Sequence, residues 1–400
     1  MQLPVEIINA VKAQAQRPGQ RSFYLYNTSV MRAKIGQLQR LVPRGVEIYY
    51  AMKANPHPAF LAAARKAGIA GIEIASAGEG AKAETAGFQP QEIIFTGPGK
   101  TPEELAWCLD RGIRTVHLES LAEAHRLNAL CAAQGKTQDV LLRVNPDFDI
   151  HGAQARFSGG SQKLGVDAAK LQNIMPKLLE LPYLRFRGLH VYAASGVLDV
   201  RDLLKNCELV FTMAQTIEQT FQGVHCAIID FGGGFGIDYL ESGHDFNPEA
   251  YAIGLQQLIT RYGFADRRFV LELGRYLTAD SGWYCTEILD IKDSYGTKQV
   301  ICAGGTNHFR RPAALSINHP VVIVPMQRPR LFTEQESVKD ERVYVGGPLC
   351  NTADKLARDI HLAQAEIGDF VVFCLAGAYG LSMSHLEFLS HARPEEILLG

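Results

Sequence analysis

Eight short apolar runs in the first two thirds of the chain restrict its fold more than any other feature of the sequence. Each is rich in β-branched residues, and many end in Gly, Ser, Asn or a charged residue. Continuous apolar runs of this length are typical of strands covered on both faces. The runs are 46–54, 71–76, 92–97, 114–119, 140–145, 187–193, 227–232 and 269–274.

Segments with the spacing of amphipathic helices separate these predicted strands. They span 58–67, 121–133, 168–181, 203–221 and 248–262. Such alternation predicts parallel βα units in an α/β fold. Eight units over roughly 250 residues fit a closed (β/α)8 barrel, in which active sites lie at the carboxyl ends of the strands. An open, doubly wound parallel sheet is the structural alternative.

The pattern changes after about residue 275, where apolar runs alternate with turns and little helix lies between them. This favours a second, antiparallel β domain. We expect the barrel to span residues 22–275, and the β-rich domain to consist of residues 1–21 and 276–400.

Composition excludes several classes of protein. The 400 residues are 47 % apolar and 20 % charged, and the formal charge of −2 gives no basic excess for nucleic acid or anionic lipid. None of the eight cysteines forms a CxxC pair, so we expect neither a zinc site nor a disulfide framework. The sequence shows no membrane-spanning stretch of about 18 apolar residues and no signal peptide. We therefore expect a cytoplasmic protein that binds no metal, membrane or nucleic acid.

Polar side chains stand at the ends of the predicted strands, where a barrel places its active site. Lys53 ends the first strand, and in an apolar setting its neutral amine can form a Schiff base. Pairing of Lys53 with Glu73 or Glu79 for packing is an equally good interpretation. The run 232–234 is three glycines after the seventh strand, where barrels often bind phosphate through backbone N–H groups.

An acidic residue, Glu272, lies in the eighth strand. The predicted barrel mouth thus combines a lysine, a glycine turn suited to phosphate and an acid. These three groups are the ones that bind pyridoxal 5′-phosphate (PLP). The lysine holds the aldehyde, the glycines hold the phosphate, and the acid keeps the pyridine nitrogen protonated. The sequence therefore predicts a PLP enzyme.

The segment Tyr49-Tyr50-Ala51-Met52-Lys53-Ala54-Asn55 resembles the cofactor-lysine motif of the fold-type III PLP-dependent decarboxylases, which include diaminopimelate and ornithine decarboxylases. Further matching blocks keep the family's order along nearly the whole chain, at 73–79, 94–100, 230–236, 272–275, 347–350 and 377–384. The resemblance implies a TIM-type barrel of the alanine racemase kind with a β domain. It also implies α-decarboxylation of an amino acid, and a homodimer with composite active sites.

The resemblance assigns roles to matching positions. Lys53 would hold the cofactor's aldehyde and Glu272 would face its pyridine nitrogen. Cys350, offered by the second subunit, would protonate the α carbon. Glu73 and Glu79 would lie near the cofactor, and Tyr192 or His190 would stack on its ring. The phosphate would be held by Ser195, Gly232, Gly233, Gly234 and Arg275, with Tyr379 nearby. Gly274 is the remaining cofactor-binding position.

Within this family the chain is most similar to decarboxylases of citrate-based siderophore pathways. Those of rhizoferrin and staphyloferrin B synthesis act on N-citrylornithine and citryl-diaminopropionate. The blocks 136–138, 286–292, 304–306 and 384–391 carry this narrower resemblance.

Two positions depart from the family's pattern. The ring-stacking histidine is replaced by Tyr192, with His190 two residues away as the alternative. The acid that usually follows the cysteine is Asn351, with Asp354 three residues further on. In relatives that acid helps to bind the distal amine of the substrate. Its replacement by asparagine therefore argues against a free diamino acid as substrate.

Two adjacent arginines, Arg310 and Arg311, lie in a segment that lines the substrate end in relatives. Two guanidinium groups suit a substrate whose far end bears carboxylates, as a citryl group does. An arginine pair at the surface is the alternative. We expect His308, Asn351 and Asp354 to complete the substrate site.

Three other functions compete with this interpretation. A plain diaminopimelate or ornithine decarboxylase is disfavoured by Asn351 and the arginine pair. An amino-acid racemase of the same fold favours an arginine at the pyridine nitrogen, where this chain has Glu272. A non-catalytic homologue would be expected to lose Lys53 or Cys350, and both are present.

Overall fold

The computed structural model of the chain describes residues 2–147, 155–156, 161–192, 194–330 and 332–400. The α-helices are α1 (Val5–Ala15), α2 (Thr28–Leu41), α3 (Pro58–Lys66), α4 (Ala77–Thr85), α5 (Pro102–Arg111), α6 (Leu121–Gln134), α7 (Leu171–Leu179), α8 (Val200–Thr220), α9 (Pro248–Tyr262), α10 (Arg275–Thr278) and α11 (Arg311–Leu315). The strands are β1 (Ser22–Tyr26), β2 (Val46–Ala51), β3 (Gly71–Ile74), β4 (Ile93–Phe95), β5 (Thr115–Leu118), β6 (Gln138–Asn145), β7 (Ala155–Arg156), β8 (Val166–Asp167), β9 (Leu184–His190), β10 (Ala194–Ser195), β11 (Ile228–Asp230), β12 (Arg268–Leu273), β13 (Gly282–Ser294), β14 (Thr297–Cys302), β15 (Val321–Val324), β16 (Val338–Gly346), β17 (Lys355–Ala365), β18 (Phe370–Phe373) and β19 (Glu395–Leu398). No helix in these ranges is both long enough and apolar enough to cross a bilayer.

The chain divides into two compact units. The barrel unit comprises 32–237 and 244–277, and the β-rich unit comprises 1–31, 238–243 and 278–400. Strand β1, Ser22–Tyr26, pairs with β13 and β19 and so lies in the β-rich unit. The sequence-based boundary at residue 22 counted this strand with the barrel.

The barrel is closed by eight parallel strands in the order β2, β3, β4, β5, β6, β9, β11 and β12, with β12 pairing back to β2. Each of the eight predicted apolar runs supplies one of these strands, which confirms the predicted (β/α)8 fold and excludes the open sheet. Most of the helices between them begin at side-chain caps. Thr101 forms a capping box with Glu104 at the start of α5, and Asn247 caps α9.

Side chains inside the barrel stack in layers drawn from alternate strands, as in other barrels of this kind. The lowest layer is apolar and consists of Tyr49, Ile94, Leu141 and Ile228 from β2, β4, β6 and β11, with Val270 of β12 in the same cluster. The other four strands supply the next layer, Glu73, His117, His190 and Glu272, all buried. We call this set the polar layer. Bulky apolar residues usually fill a barrel, so a buried layer of ionisable groups marks a functional site.

The β-rich unit holds one mixed sheet. Its main path runs β15, β18, β13, β14, β16 and β17, with β1 on β13 and β19 on β1. Most of the pairings are antiparallel, as predicted, but β14 pairs with β16 and β1 with β19 in parallel.

Candidate active site

The chain turns sharply at the end of β2 and thereby presents Lys53 at the mouth of the barrel. A single 3-10 turn, Met52–Ala54, follows the strand. The Lys53 Nζ atom lies 2.8 and 2.7 Å from the two carboxylate oxygens of Glu73. The Glu73 side chain is fully buried, whereas that of Lys53 is 39 % exposed. The anticipated pairing with an acid therefore occurs with Glu73, and the lysine still reaches solvent from the mouth.

Glu79 does not take part in that pair. Its Oε2 atom accepts a hydrogen bond of 2.8 Å from the backbone N–H of Ala75, at the start of α4. Burial raises the pKa of this carboxyl group above its usual value. Glu79 therefore stabilises the turn after β3.

Four buried ionisable groups meet inside the barrel. The Nδ1 atoms of His117 and His190 lie 3.1 Å apart. The Nε2 atom of His190 lies 3.7 Å from Glu272 Oε2, and the Nε2 atom of His117 lies 3.9 Å from Asp230 Oδ2. Histidine and carboxylate side chains also ligate divalent cations, and the ligand atoms of these four residues lie within 4.8 Å of one another. The spacing of cysteines in the sequence could not indicate such a grouping.

Burial controls the protonation of this cluster. It lowers the pKa of both His117 and His190 well below the usual histidine value, so both imidazoles are neutral near pH 7. Burial raises the pKa of Asp230 to about 7, and burial together with the charge of Asp230 raises that of Glu272. A carboxylate pair of this kind holds a proton near neutral pH, next to the place where the barrel opens.

The glycine turn after β11 leaves no room for side chains. A Cβ atom at Gly233 would lie 2.3 Å from the carbonyl oxygen of Glu272. Gly232 has a φ of +63°, and a Cβ atom there would lie 2.5 Å from the Tyr192 ring. Both positions are therefore restricted to glycine.

A hydroxyl and a guanidinium group lie in the same unit as this turn. The Nη2 atom of Arg275 donates a hydrogen bond of 3.3 Å to Ser195 Oγ, and both residues are buried. Gly274 precedes Arg275 and packs tightly, because a Cβ atom there would lie 2.8 Å from the Cβ atom of Ala54. Hydroxyl, guanidinium and backbone N–H groups are the usual donors to a phosphate.

The structure separates the two candidates for ring stacking. His190 is 1 % exposed and points at His117 inside the barrel. Tyr192 is half-buried and lies against the glycine turn. The geometry favours Tyr192 as the residue beside a ligand at the mouth.

Several residues of the barrel site were not predicted. His117 is one of them, and Thr96 is another, since its hydroxyl donates to Glu73 Oε1. Glu119 accepts hydrogen bonds from Arg143 Nη1 at 2.9 Å and from the backbone N–H of Gly165 at 2.6 Å. Polar residues at alternate positions of an apolar strand are the signal that could have found them.

The β-rich unit contains the predicted substrate-binding residues, together with Cys350 and Tyr379. Some of them line a cavity or are exposed, and others are buried. Cys350 is exposed, and Asn351 and Arg310 line one cavity of this unit. Tyr379 is half-buried and has a φ of +54°.

Three residues expected at the substrate are instead buried in structural contacts. Arg311 is fully buried, bonded to His319, with its guanidinium carbon 3.9 Å from the centre of the Tyr239 ring. These contacts compensate the buried charge and place Arg311 away from the cavity, unlike its neighbour.

His308 and Asp354 are held in the same way. His308 bonds through Nε2 to the carbonyl oxygen of Ala392 at 2.8 Å and through Nδ1 to the Tyr284 hydroxyl at 3.2 Å. Asp354 accepts backbone N–H groups from Thr306 at 2.6 Å and Leu349 at 2.9 Å. Both residues organise the unit, and the expectation that they bind substrate directly is not supported by these contacts.

The barrel residues fit PLP on two observations. The Oε1 atom of Glu272 is buried and has no hydrogen-bond partner among the described residues, as a group that faces a pyridine nitrogen requires. A Cβ atom at Gly232 or Gly233 would collide with the protein, so the turn carries backbone groups alone, and backbone N–H groups of such a turn are suited to a phosphate. Lys53 would supply the amine for the cofactor's aldehyde.

Comparison with known proteins agrees with this fit. Residues 28–279 match the family model described as pyridoxal-dependent decarboxylase, pyridoxal binding domain. The chain is 33 % identical over 402 residues to the 2-[(L-alanin-3-ylcarbamoyl)methyl]-2-hydroxybutanedioate decarboxylase of Staphylococcus aureus, covering 100 % of this chain and 98 % of that protein. It is 32 % identical to the L-glutamyl-[BtrI acyl-carrier protein] decarboxylase of Niallia circulans, covering 94 % and 88 %.

A solved structure shows the same architecture. Diaminopimelate decarboxylase from Helicobacter pylori, complexed with L-lysine, superposes with a TM-score of 0.85 at 25 % identity, covering 96 % of this chain and 92 % of that one. The family model matches more than half of the chain, and both relatives are more than 30 % identical along almost its whole length. These matches establish membership of the family. The chain belongs to the fold-type III pyridoxal-dependent decarboxylases and is a PLP-dependent enzyme of that family.

Proposed function

We propose that the enzyme removes the α-carboxylate of a citryl-conjugated diamino acid, N-citrylornithine or citryl-diaminopropionate, in the synthesis of a carboxylate siderophore such as rhizoferrin or staphyloferrin B. The relative from S. aureus supports this substrate class, because its name describes an alanin-3-yl group joined through an amide to a hydroxybutanedioate. The relative from N. circulans also acts, by its name, on an amino acid carried by a larger group.

The observation that carries the proposal is the arrangement of the loop that follows Cys350. Asp354 is 5 % exposed and uses both carboxylate oxygens on backbone N–H groups. The residue after the cysteine is the uncharged Asn351. Among the described residues 349–354, a distal ammonium group therefore finds no free carboxylate, whereas a conjugated diamino acid presents no ammonium group there.

The barrel residues divide the work of the reaction. When bound, PLP supplies an acceptor for the electron pair that remains on the α carbon after CO2 departs. Lys53 would hold the cofactor's aldehyde, and Glu73 would orient the Lys53 amine. Glu272 would keep the pyridine nitrogen protonated, while the 232–234 turn, Ser195 and Arg275 would hold the phosphate.

The proton that replaces the carboxylate comes, in this proposal, from Cys350 of a second subunit. Cys350 is exposed, so its thiol is accessible to another copy of the chain. A homodimer with composite active sites follows from this role. The cytoplasmic location stays a prediction from the sequence.

Release of CO2 tests the substrate class. The purified, PLP-loaded enzyme is assayed with N-citrylornithine, citryl-diaminopropionate, free ornithine and diaminopimelate, and the Lys53→Ala variant gives the background. We expect turnover with a citryl conjugate and little with the free diamino acids. Comparable kcat/KM for a free diamino acid would overturn the proposal and return the enzyme to general amino-acid or polyamine metabolism.

A further inference from the structure

A cavity of about 420 Å³ opens in the β-rich unit. Its volume falls within the range of small-molecule sites, roughly 300–1,000 Å³. The polar side chains in its lining are Thr306, Arg310, Asn351 and His385, and the apolar lining includes Leu349 and Phe388. His385 was not among the residues predicted to bind substrate.

The cavity offers hydrogen-bond donors and positive charge. None of the described residues that line it is acidic, and no carboxylate among the described residues pairs with the Arg310 guanidinium. The Oδ1 atom of Asn351 accepts the Ala353 N–H at 2.8 Å, which leaves its NH2 group to donate. An imidazole donates a hydrogen bond in either protonation state. Guanidinium, imidazole, amide and hydroxyl donors together select a ligand rich in carboxylate oxygens.

Ser384 connects the segments that carry the two donors Arg310 and His385. Ser384 Oγ accepts the backbone N–H of Arg310 at 3.0 Å and lies 3.0 Å from the carbonyl oxygens of His308 and Gly380. His385 follows Ser384 directly in the chain. The segments that carry Arg310 and His385 are therefore joined through the partly buried Ser384 hydroxyl, which fixes their backbones relative to each other.

The cavity also adjoins the thiol that takes part in the proposed reaction. Two of its lining residues, Leu349 and Asn351, flank Cys350 in the chain. A substrate that reaches Cys350 with its α carbon can therefore extend its other end into this cavity.

We propose that the cavity binds the hydroxy-dicarboxylate end of the substrate, and that Arg310 and His385 are the residues that select carboxylates there. The apolar wall at Phe388 accommodates the methylene groups between them. The assignment of this end to a citryl group rests on the proposed function, whereas the preference of the cavity for carboxylates follows from its lining alone.

Binding of citrate tests the cavity without turnover. Citrate is titrated calorimetrically into the PLP-loaded enzyme and into the Arg310→Gln and His385→Gln variants, with inorganic phosphate as a second probe. The matched controls are Arg342→Gln and His361→Gln, which remove an exposed arginine and an exposed histidine paired with Asp359 and Asp340 in the same unit. Cofactor absorbance and thermal midpoint establish that each variant is folded and loaded.

We expect citrate to bind at least about 10-fold more weakly to each cavity variant and equally to the controls and the unmodified enzyme. In the turnover assay, KM for the citryl conjugate should rise by a similar factor, with kcat changed by less than about twofold, because these contacts are the same in ground and transition states. Absence of citrate binding, equal binding by the cavity variants, or phosphate binding as tight as citrate would overturn the inference.

The two proposals fail separately. If no citryl conjugate is turned over but citrate binding is lost in the Arg310 and His385 variants, the proposed function fails and the carboxylate site stands. If a citryl conjugate is turned over and the variants bind citrate normally, the function stands and this assignment of the cavity is wrong.

Discussion

The Nδ1 atoms of His117 and His190 lie 3.1 Å apart in the interior of the barrel. At that distance one ring donates and the other accepts, so the two rings share a single proton along this contact. Burial lowers the pKa of both, which keeps the pair neutral. The negative charge of the site is therefore controlled by the carboxyl groups of Asp230 and Glu272.

The pKa of Asp230 predicts a specific dependence of stability on pH. Because burial raises this pKa from 3.8 to about 7, the folded chain binds the proton more tightly than the unfolded chain. The resulting stabilisation is fully present below about pH 4 and is lost as pH rises through 7, by an amount on the order of 1–4 kcal/mol. In Asp230→Asn, which keeps an oxygen for the Gly232 N–H bond of 2.8 Å, this loss is absent.

Urea unfolding of the protein stripped of PLP measures this effect. The free energy of unfolding of Asp230→Asn, relative to the unmodified protein, should rise between about pH 5 and 7 and level off at higher pH. Asp110→Asn, at an acid whose side chain is 63 % exposed, should show no such trend. A difference that stays constant with pH would contradict the assignment of the raised pKa to Asp230.

In the proposed site Glu272 faces the pyridine nitrogen, and Glu272→Gln replaces its carboxyl group by an amide that cannot ionise. We expect kcat to fall by roughly 10²-fold or more, because the amide cannot keep the nitrogen protonated. The absorbance of the bound cofactor should change as well, which separates this effect from loss of cofactor. Normal kcat in a fully loaded Glu272→Gln enzyme would remove Glu272 from this role.

Gly233→Ala tests the space in the glycine turn. The added Cβ atom would lie 2.3 Å from the Glu272 carbonyl oxygen, so the turn must shift. We expect PLP affinity to fall at least about 10-fold and the thermal midpoint to drop by several degrees. Gly99→Ala is the matched control, since nothing lies within 4 Å of a Cβ atom there. Similar PLP affinity in the two variants would show that the turn does not hold the phosphate.

Subunit mixing tests the composite site. Lys53→Ala and Cys350→Ala should each be nearly inactive as separate proteins. After subunits exchange, a mixed dimer has one site with both residues intact, so activity should recover to about a quarter of the unmodified level. Failure to recover, with exchange verified by native mass spectrometry, would place Cys350 in the same chain's site or outside the reaction.

The sequence predicted the barrel well because its strands are buried on both faces. A continuous apolar run such as that of β12 can be recognised without knowledge of its neighbours. Ser22–Tyr26 looks much the same in sequence, yet it pairs with β13, which lies some 260 residues further on. Pairing over such a distance is decided by tertiary packing, so the sequence alone could not assign Ser22–Tyr26 to the β-rich unit.

The sequence could single out a candidate residue where its own position along the chain was sufficient. Lys53 and the 232–234 turn stand at strand ends, where barrel geometry places chemistry. The contact between His117 and His190 could not be predicted, because β6 lies between their two strands and the contact depends on how layers form inside the barrel. The burial of Arg311 could not be predicted, because the sequence does not show that His319 and the Tyr239 ring contact its guanidinium group.

The central claim is that Lys53 holds PLP. The PLP-loaded enzyme is treated with borohydride, digested and analysed by mass spectrometry, with Lys53→Arg as the comparison. The account predicts that one phosphopyridoxyl group remains on the peptide that contains Lys53, and none on any peptide of the variant. A phosphopyridoxyl group on a different lysine of the unmodified enzyme, or its persistence in Lys53→Arg, would contradict the account.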